Sequence, residues 1–118
     1  MRERETATNT PIGVTTPSLD TVFDILADRR RRFVLYHLYD AVDGVSTVEE
    51  LVDFVAVHEP DGGPSKDEIQ VALYHIHLPK LEEAGVIEHD QRSETVRYWT
   101  HPSLEEWLEH ASYKERES

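Results

Sequence analysis

The 118-residue chain is 38% apolar, enough to build one hydrophobic core and too short to divide into two domains. It has no cysteine, which excludes disulfides and thiolate metal sites, and no apolar run near the ~20 residues of a membrane-spanning helix. Twenty-four acidic residues against 12 Lys and Arg leave a formal charge of −12, a property that bears on solubility and partners rather than on fold.

Residues 1–17 begin with the charged Met1-Arg2-Glu3-Arg4-Glu5, unlike a signal peptide, and continue through Thr, Pro, Asn and Gly without periodicity. They are expected to be a flexible tail of a cytoplasmic protein. From there Leu19, Val22, Phe23 and Leu26 fall at i, i+3, i+4 and i+7, the spacing of a one-sided helix. Asp28 can cap a second helix running through Val34, Leu35 and Leu38 to about Ala41, with Asp43-Gly44 as its stop. Ser46 and Glu49 have capping-box spacing ahead of Val48, Leu51, Val52 and Val55, a third helix. The turn Glu59-Pro60-Asp61-Gly62-Gly63-Pro64 comes next, then a second capping box, Ser65 with Glu68.

That box opens a longer helix from Lys66 towards Ala84-Gly85, with Gly85 placed to end it. At about 100° per residue, Ile69, Ala72, Leu73 and Ile76 share one face. Val71, Tyr74, Leu78 and Leu81 lie nearly opposite, available to the core, a dimer or a partner. Pro79 lacks an amide and crowds the preceding turn, so a kink or break is expected there. Two β-rich runs, Val86–Asp90 and Thr95–Trp99, flank the polar Gln91-Arg92-Ser93-Glu94 and predict a hairpin. After Pro102, Ser103 and Glu106 have a third capping-box spacing, opening a helix with Leu104, Trp107, Leu108 and Ala111 on one side.

The predicted order, with a helix, turn and longer helix ahead of a two-stranded hairpin, is that of a winged helix. His77-Leu78-Pro79-Lys80-Leu81-Glu82-Glu83-Ala84-Gly85-Val86-Ile87 resembles the HLxxLxxAGLV end of the recognition helix in ArsR-type regulators. Ile25-Leu26-Ala27-Asp28 through Arg31 to Val34-Leu35 resembles their ALADPTRLRIL opening. With Pro79 in the block, the sequence is most similar to an uncharacterised haloarchaeal winged-helix family whose members are taken for transcriptional regulators. The resemblance spans roughly Leu19 to Trp99. It implies an α+β, mostly helical fold over residues 18–101, a winged helix-turn-helix with a two-stranded wing, after which the helix opened at Ser103 and a short tail fill 102–118. The cysteine ligands of the metal-sensing members are missing, so their inducer chemistry is not carried over.

In such a fold the recognition helix enters the major groove and the wing meets backbone or minor groove. Lys66, Gln70, His75 and His77 lie between or beside the two apolar faces, within reach of DNA, or else form solvated helix surface. Gln70 suits bidentate reading of adenine, and Lys66 suits guanine or phosphate; Tyr74 is expected in the core. Arg92 at the wing tip fits phosphate or minor groove, whereas Arg97 either joins it or pairs with an acid across the hairpin. Arg29-Arg30-Arg31-Arg32 spread right around a helix. One or two should hold acids from other elements, leaving the others, with Arg30 the choice for a site, to meet phosphate at the edge of a footprint.

Three readings of the acidity compete: disorder, a module for a basic partner, and adaptation to molar salt, where screening acts within ~3 Å. Regular periodicity from Leu19 to Leu108 argues against the first, and acids at solvent positions with scarce Lys favour the last. Acidity opposes DNA binding, but only local charge acts at contact. His75 and His77 are about 200° apart on a helix and cannot chelate together, and His37, His58, His89, His101 and His110 lack ligand spacing. No phosphate loop, nucleophile elbow or paired carboxylates point to an enzyme, and no cofactor is expected. The sequence therefore predicts a regulator binding duplex DNA as a homodimer, joined through its first and last helices, in a halophilic cell. The alternative is an acidic winged-helix module that binds protein instead.

Overall fold

The computed structural model describes residues 17–60 and 62–117. The stretch expected to be a flexible tail lies, up to residue 16, outside the described residues.

Helix α1 (Leu19–Leu26) starts at Ser18, whose hydroxyl accepts the Thr21 amide at 3.1 Å. Only Val22 and Ile25 of α1 are buried, with Leu26 packed beside them. Leu19 and Phe23, expected on the inner face, are 56% and 46% exposed. The inward stripe is thus turned towards Ile25, because α1 is flanked by α2 on one side and the C-terminal helix on another. Helix α2 (Arg29–Asp40) is capped by the Asp28 carboxylate, which accepts the Arg30 and Arg31 amides at 2.8 and 3.3 Å. It drives Val34, Leu35 and Leu38 into the centre of the molecule.

A 3₁₀ turn (Val42–Gly44) then reverses the chain, with Asp43 and Gly44 at φ 57° and 67°. A Cβ on Gly44 would stand 3.3 Å from the Tyr98 carbonyl, so the turn closes directly on the sheet. The chain continues as a short strand, β1 (Val45–Thr47), that no sequence pattern announces. It takes Ser46 into the interior, and the cap of α3 (Val48–His58) moves one residue along. Thr47, not Ser46, accepts the Glu50 amide at 3.1 Å, while the Glu50 carboxylate accepts the Thr47 amide at 3.1 Å. Both registers satisfy the capping-box spacing; strand pairing selects the second.

The Ser65–Glu68 box forms as expected and opens α4 (Lys66–Ala72). The helix then neither breaks nor continues as pure α. A π-helical turn (Leu73–His77) leads into α5 (Leu78–Glu83), and the boundary residues all keep right-handed helical angles. The Leu78 amide bonds the Leu73 carbonyl, five residues back. The proline ring of residue 79 would crowd the His75 carbonyl in a straight α-helix, and a widened turn relieves this while the chain stays helical. The extra residue per turn changes which side chains face inward. Ile69 and Leu73 are buried as predicted, but next come His77, Leu78 and Leu81, while Ile76 is 57% exposed. Leu78 and Leu81, expected opposite Ile69, are therefore on the core side, and Ile76 is not. Gly85 (φ 80°) ends the rod: its amide bonds the Glu82 carbonyl and the Val86 amide bonds the Leu81 carbonyl, a Schellman motif.

Strands β2 (Ile87–Asp90) and β3 (Thr95–Tyr98) form the predicted hairpin, but β1 adds to it, giving an antiparallel sheet of order β1-β3-β2 in place of a two-stranded wing. Val96 lies opposite both Ser46 and His89. Helix α6 (Pro102–Glu117) begins at Pro102 itself, so Ser103 sits inside its first turn and the third predicted cap does not form. Proline at the first helical position loses no bond, and the His101 carbonyl takes the Glu105 amide. Leu104 and Leu108 complete the core. Along α6 a row of glutamates accepts from neighbouring side chains: Glu105 from Tyr98, Glu109 from Tyr39, and Glu115 from Tyr36 and, bidentately, from Arg32. Burial and Glu105 push the Tyr98 phenol well up from its ordinary pKa, so it stays a donor. The architecture is α+β and mostly helical, with the sheet at one end of the helical core. No described helix is long and apolar enough to cross a membrane.

Candidate nucleic-acid interface

α3 packs against α4 across the turn that joins them, and the β2–β3 hairpin, the predicted wing, stands beside α4. Hydrogen bonds fold the hairpin's turn and tie that turn to the start of α3. The Asp90 carboxylate accepts the Arg92 and Ser93 amides at 3.0 and 3.4 Å, folding the tip, and the Glu94 carbonyl accepts the Val48 amide at 2.9 Å. Glu94 has φ 60°, an uncommon conformation for a side-chain-bearing residue, held here by the anchor to the start of α3. Tyr74 packs its ring 5.5 Å from that of His89, joining the helix rod to β2. The second apolar face of the α4–α5 rod is thereby divided: Leu78 and Leu81 are core, Tyr74 packs on the hairpin, and Val71 is 58% exposed.

Of the predicted site residues, three share one surface. Lys66, Gln70 and His75 project from the outer side of α4 and the π turn. Gln70 and His75 line a groove of about 610 Å³ against wing residues Gln91 and Glu94, with Val71 and Tyr74 between. Lys66 and Gln70 line a second groove of about 630 Å³, bounded by Thr47, Glu49, Asp53, Ser93 and Glu94. Arg92 is exposed at the wing tip. Lys66 pairs with Asp53 at 2.9 Å, but both side chains are more than half exposed, so the pair holds the ammonium only weakly. The grooves have an acidic rim formed by Glu49, Asp53, Asp67 and Glu94.

The other three are placed elsewhere. His77 is only 5% exposed and points into the protein, the result of the register change at the π turn. Arg30 is half-buried and faces Glu59 at 3.4 Å. Arg97 lies on the far face of the sheet, 5.7 Å over the Trp99 ring, where it lines a separate groove with Asp43 and Glu105. Its register partner across the hairpin is Glu88. Sequence reasoning treated Gln91, Ser93 and Glu94 as a linking turn and did not see that they wall the grooves. Their polarity marks a turn but not the element it folds against.

Arg31 explains why the arginine run cannot act as one basic face. It is 8% exposed, donates to the Ile25 carbonyl at 3.1 Å and the Asp24 carbonyl at 2.9 Å, and meets His77 Nδ1 at 3.3 Å. A guanidinium only donates, so Nδ1 accepts and His77 is neutral in this arrangement. Burial, reinforced by Arg31 and Arg30 against an opposing pull from Asp28, lowers the His77 pKa. Folding therefore favours the neutral ring, and the unfolded chain takes up the proton first as pH falls. The stabilisation is full above the ordinary histidine range near 6.5 and is lost as pH falls through the lowered folded value. Thermal melts between about pH 5 and pH 7.5 should show stability rising with pH, and His77→Gln, which cannot titrate, should flatten that rise. An equally steep rise in the variant would assign it to other groups.

Among the described residues no three His, Asp or Glu side chains are grouped to hold a metal ion. Residues 23–97 match the family model of a domain of unknown function, DUF7344, and the chain belongs to that family. No curated protein and no solved structure gives a significant match.

Proposed function

We propose that the protein is a winged helix-turn-helix regulator that binds duplex DNA, with α4 in the major groove and the wing on backbone or minor groove. The observation that carries this reading is the outward surface of Lys66, Gln70 and His75 beside the wing, held rigid by a core that none of the three helps to form. Gln70 is the base-reading residue and Lys66 and Arg92 the phosphate contacts. With an acidic rim around them, affinity must depend more on shape and direct contacts than on counterion release. That suits a halophilic cell, where release contributes little.

The protein acts as a homodimer, which matches two half-sites. Supporting this are Leu19, Phe23 and Trp107, exposed on the outer sides of α1 and α6, with the two rings in edge-on contact at 5.1 Å.

Titration of random-sequence duplex from about 0.2 to about 3 M KCl tests the reading. Lys66→Ala and Arg92→Ala, the phosphate contacts, should each weaken binding by about tenfold while leaving the fold intact. Two chains per duplex is the expected stoichiometry, and one chain would remove the dimer. A second reading is favoured by the acidic rim together with exposed Val71 and Ile76: a partner protein with a basic, partly apolar surface. A folded protein that binds no duplex at any of these salt concentrations would establish that reading over the first.

A further inference from the structure

A groove of about 670 Å³ lies between α2, α3 and α6, away from the helix-turn-helix surface. Its size falls within the ~300–1,000 Å³ of small-molecule sites. Phe33, Phe54 and His58 make its aromatic wall: Phe33 stands 6.4 Å from Phe54 and 5.1 Å from His58, and Phe54 is 4.4 Å from His58. Phe54 is half-buried and His58 exposed, so these two rings, packed on one another, reach the surface. His58 Nδ1 donates to the Phe54 carbonyl at 2.8 Å, which fixes the ring against α3 and leaves Nε2 as the free nitrogen.

The charges in the groove are sorted along its length. Arg29 and Arg116 line it and form no ion pair with a described residue. Arg32 is already engaged, held bidentately by Glu115 and bonded to the Leu26 carbonyl; Glu115 stays ionised, its charge offset by Arg32 and its oxygens also accepting from the neutral Tyr36 hydroxyl. Asp40, the remaining acid of the lining, lies eleven positions after Arg29, about 16 Å along α2. Because Glu115 meets Arg32 while Glu109 meets Tyr39, α6 runs antiparallel to α2, which puts Arg116 at the Arg29 end. A chain with net charge −12 thus presents two guanidiniums outside any described ion pair at one end of an aromatic groove.

We infer that this groove is a binding site for a small aromatic carboxylate, the ring against Phe33, Phe54 and His58 and the carboxylate at Arg29 and Arg116. Planar guanidiniums bind carboxylates in a bidentate fork and also stack on rings, so both parts of the ligand are recognised. The inference stands independently of any nucleic-acid role.

The test is a titration of ¹⁵N-labelled full-length protein with benzoate at constant ionic strength, read by amide shifts, with benzyl alcohol and acetate as partial probes. The expected result is saturable benzoate binding that shifts α2, α3 and α6 amides, with each partial probe at least about tenfold weaker. The surface double variant Arg29→Gln/Arg116→Gln, which removes no core contact, should lose at least about tenfold in benzoate affinity. Absence of saturation, equal binding of acetate, or full affinity in the double variant would each overturn the site.

Discussion

Arg31→Ala should lower stability by about 3 kcal/mol, far more than any other change in the arginine run. The variant leaves the buried Ile25 carbonyl at the end of α1 and the inward nitrogen of His77 without their donor, and the Asp24 carbonyl with the Ala27 amide alone. Each unsatisfied buried acceptor costs about 1–3 kcal/mol. Lysine should restore little, since one ammonium on a flexible stem cannot serve three acceptors in the plane of a guanidinium. Arg29→Ala, on the exposed side of α2, should stay within about 0.5 kcal/mol. Urea unfolding at fixed KCl measures all three, and a loss of about 3 kcal/mol moves the midpoint by about 1–3 M. A change in Arg31→Ala no larger than in Arg29→Ala would mean that the buried fork does not hold α1 to the rest of the molecule.

Leu78→Ala and Ile76→Ala should differ sharply, with about 3 kcal/mol lost in the first and less than about 0.5 in the second. Leu78 is fully buried among core residues, and Ile76 is 57% exposed. An uninterrupted α-helix from Lys66 would place Ile76 with Ile69 and Leu73 and turn Leu78 away, so the order of the two losses tests the π turn directly. The reverse order would restore the straight helix and with it the outward position of His77. The register also decides which histidine is exposed on the outer surface: His75 with the π turn, and both without it.

Much of the fold is legible because it depends on local chemistry. Asp28 and Ser65 cap helices wherever their side chains meet free amides, Gly85 accepts the positive φ that ends a helix, and Val48, Leu51, Val52 and Val55 repeat at helical spacing. Less of the site is legible. Lys66, Gln70 and His75 on the outer surface and Arg92 at the hairpin tip follow from spacing alone. The walls of the grooves do not, since Gln91, Ser93 and Glu94 become part of a surface only when the Glu94 carbonyl bonds the Val48 amide across the fold.

By itself the sequence determined the helices and the hairpin, the caps at Asp28, Ser65 and Gly85, and their order, because each rests on contacts within a few residues. Tertiary structure decided what those contacts leave degenerate. Ser46 with Glu49 and Thr47 with Glu50 have the same capping spacing, and only the pairing of β1 with β3 selects Thr47. Four arginines in a row are equivalent as a string, yet α1 ends beside one of them and makes Arg31 a buried clamp. Pro79 signals trouble in its helix without saying how it is resolved; the core does, by accepting Leu78 and Leu81 and gaining their apolar surface through one widened turn.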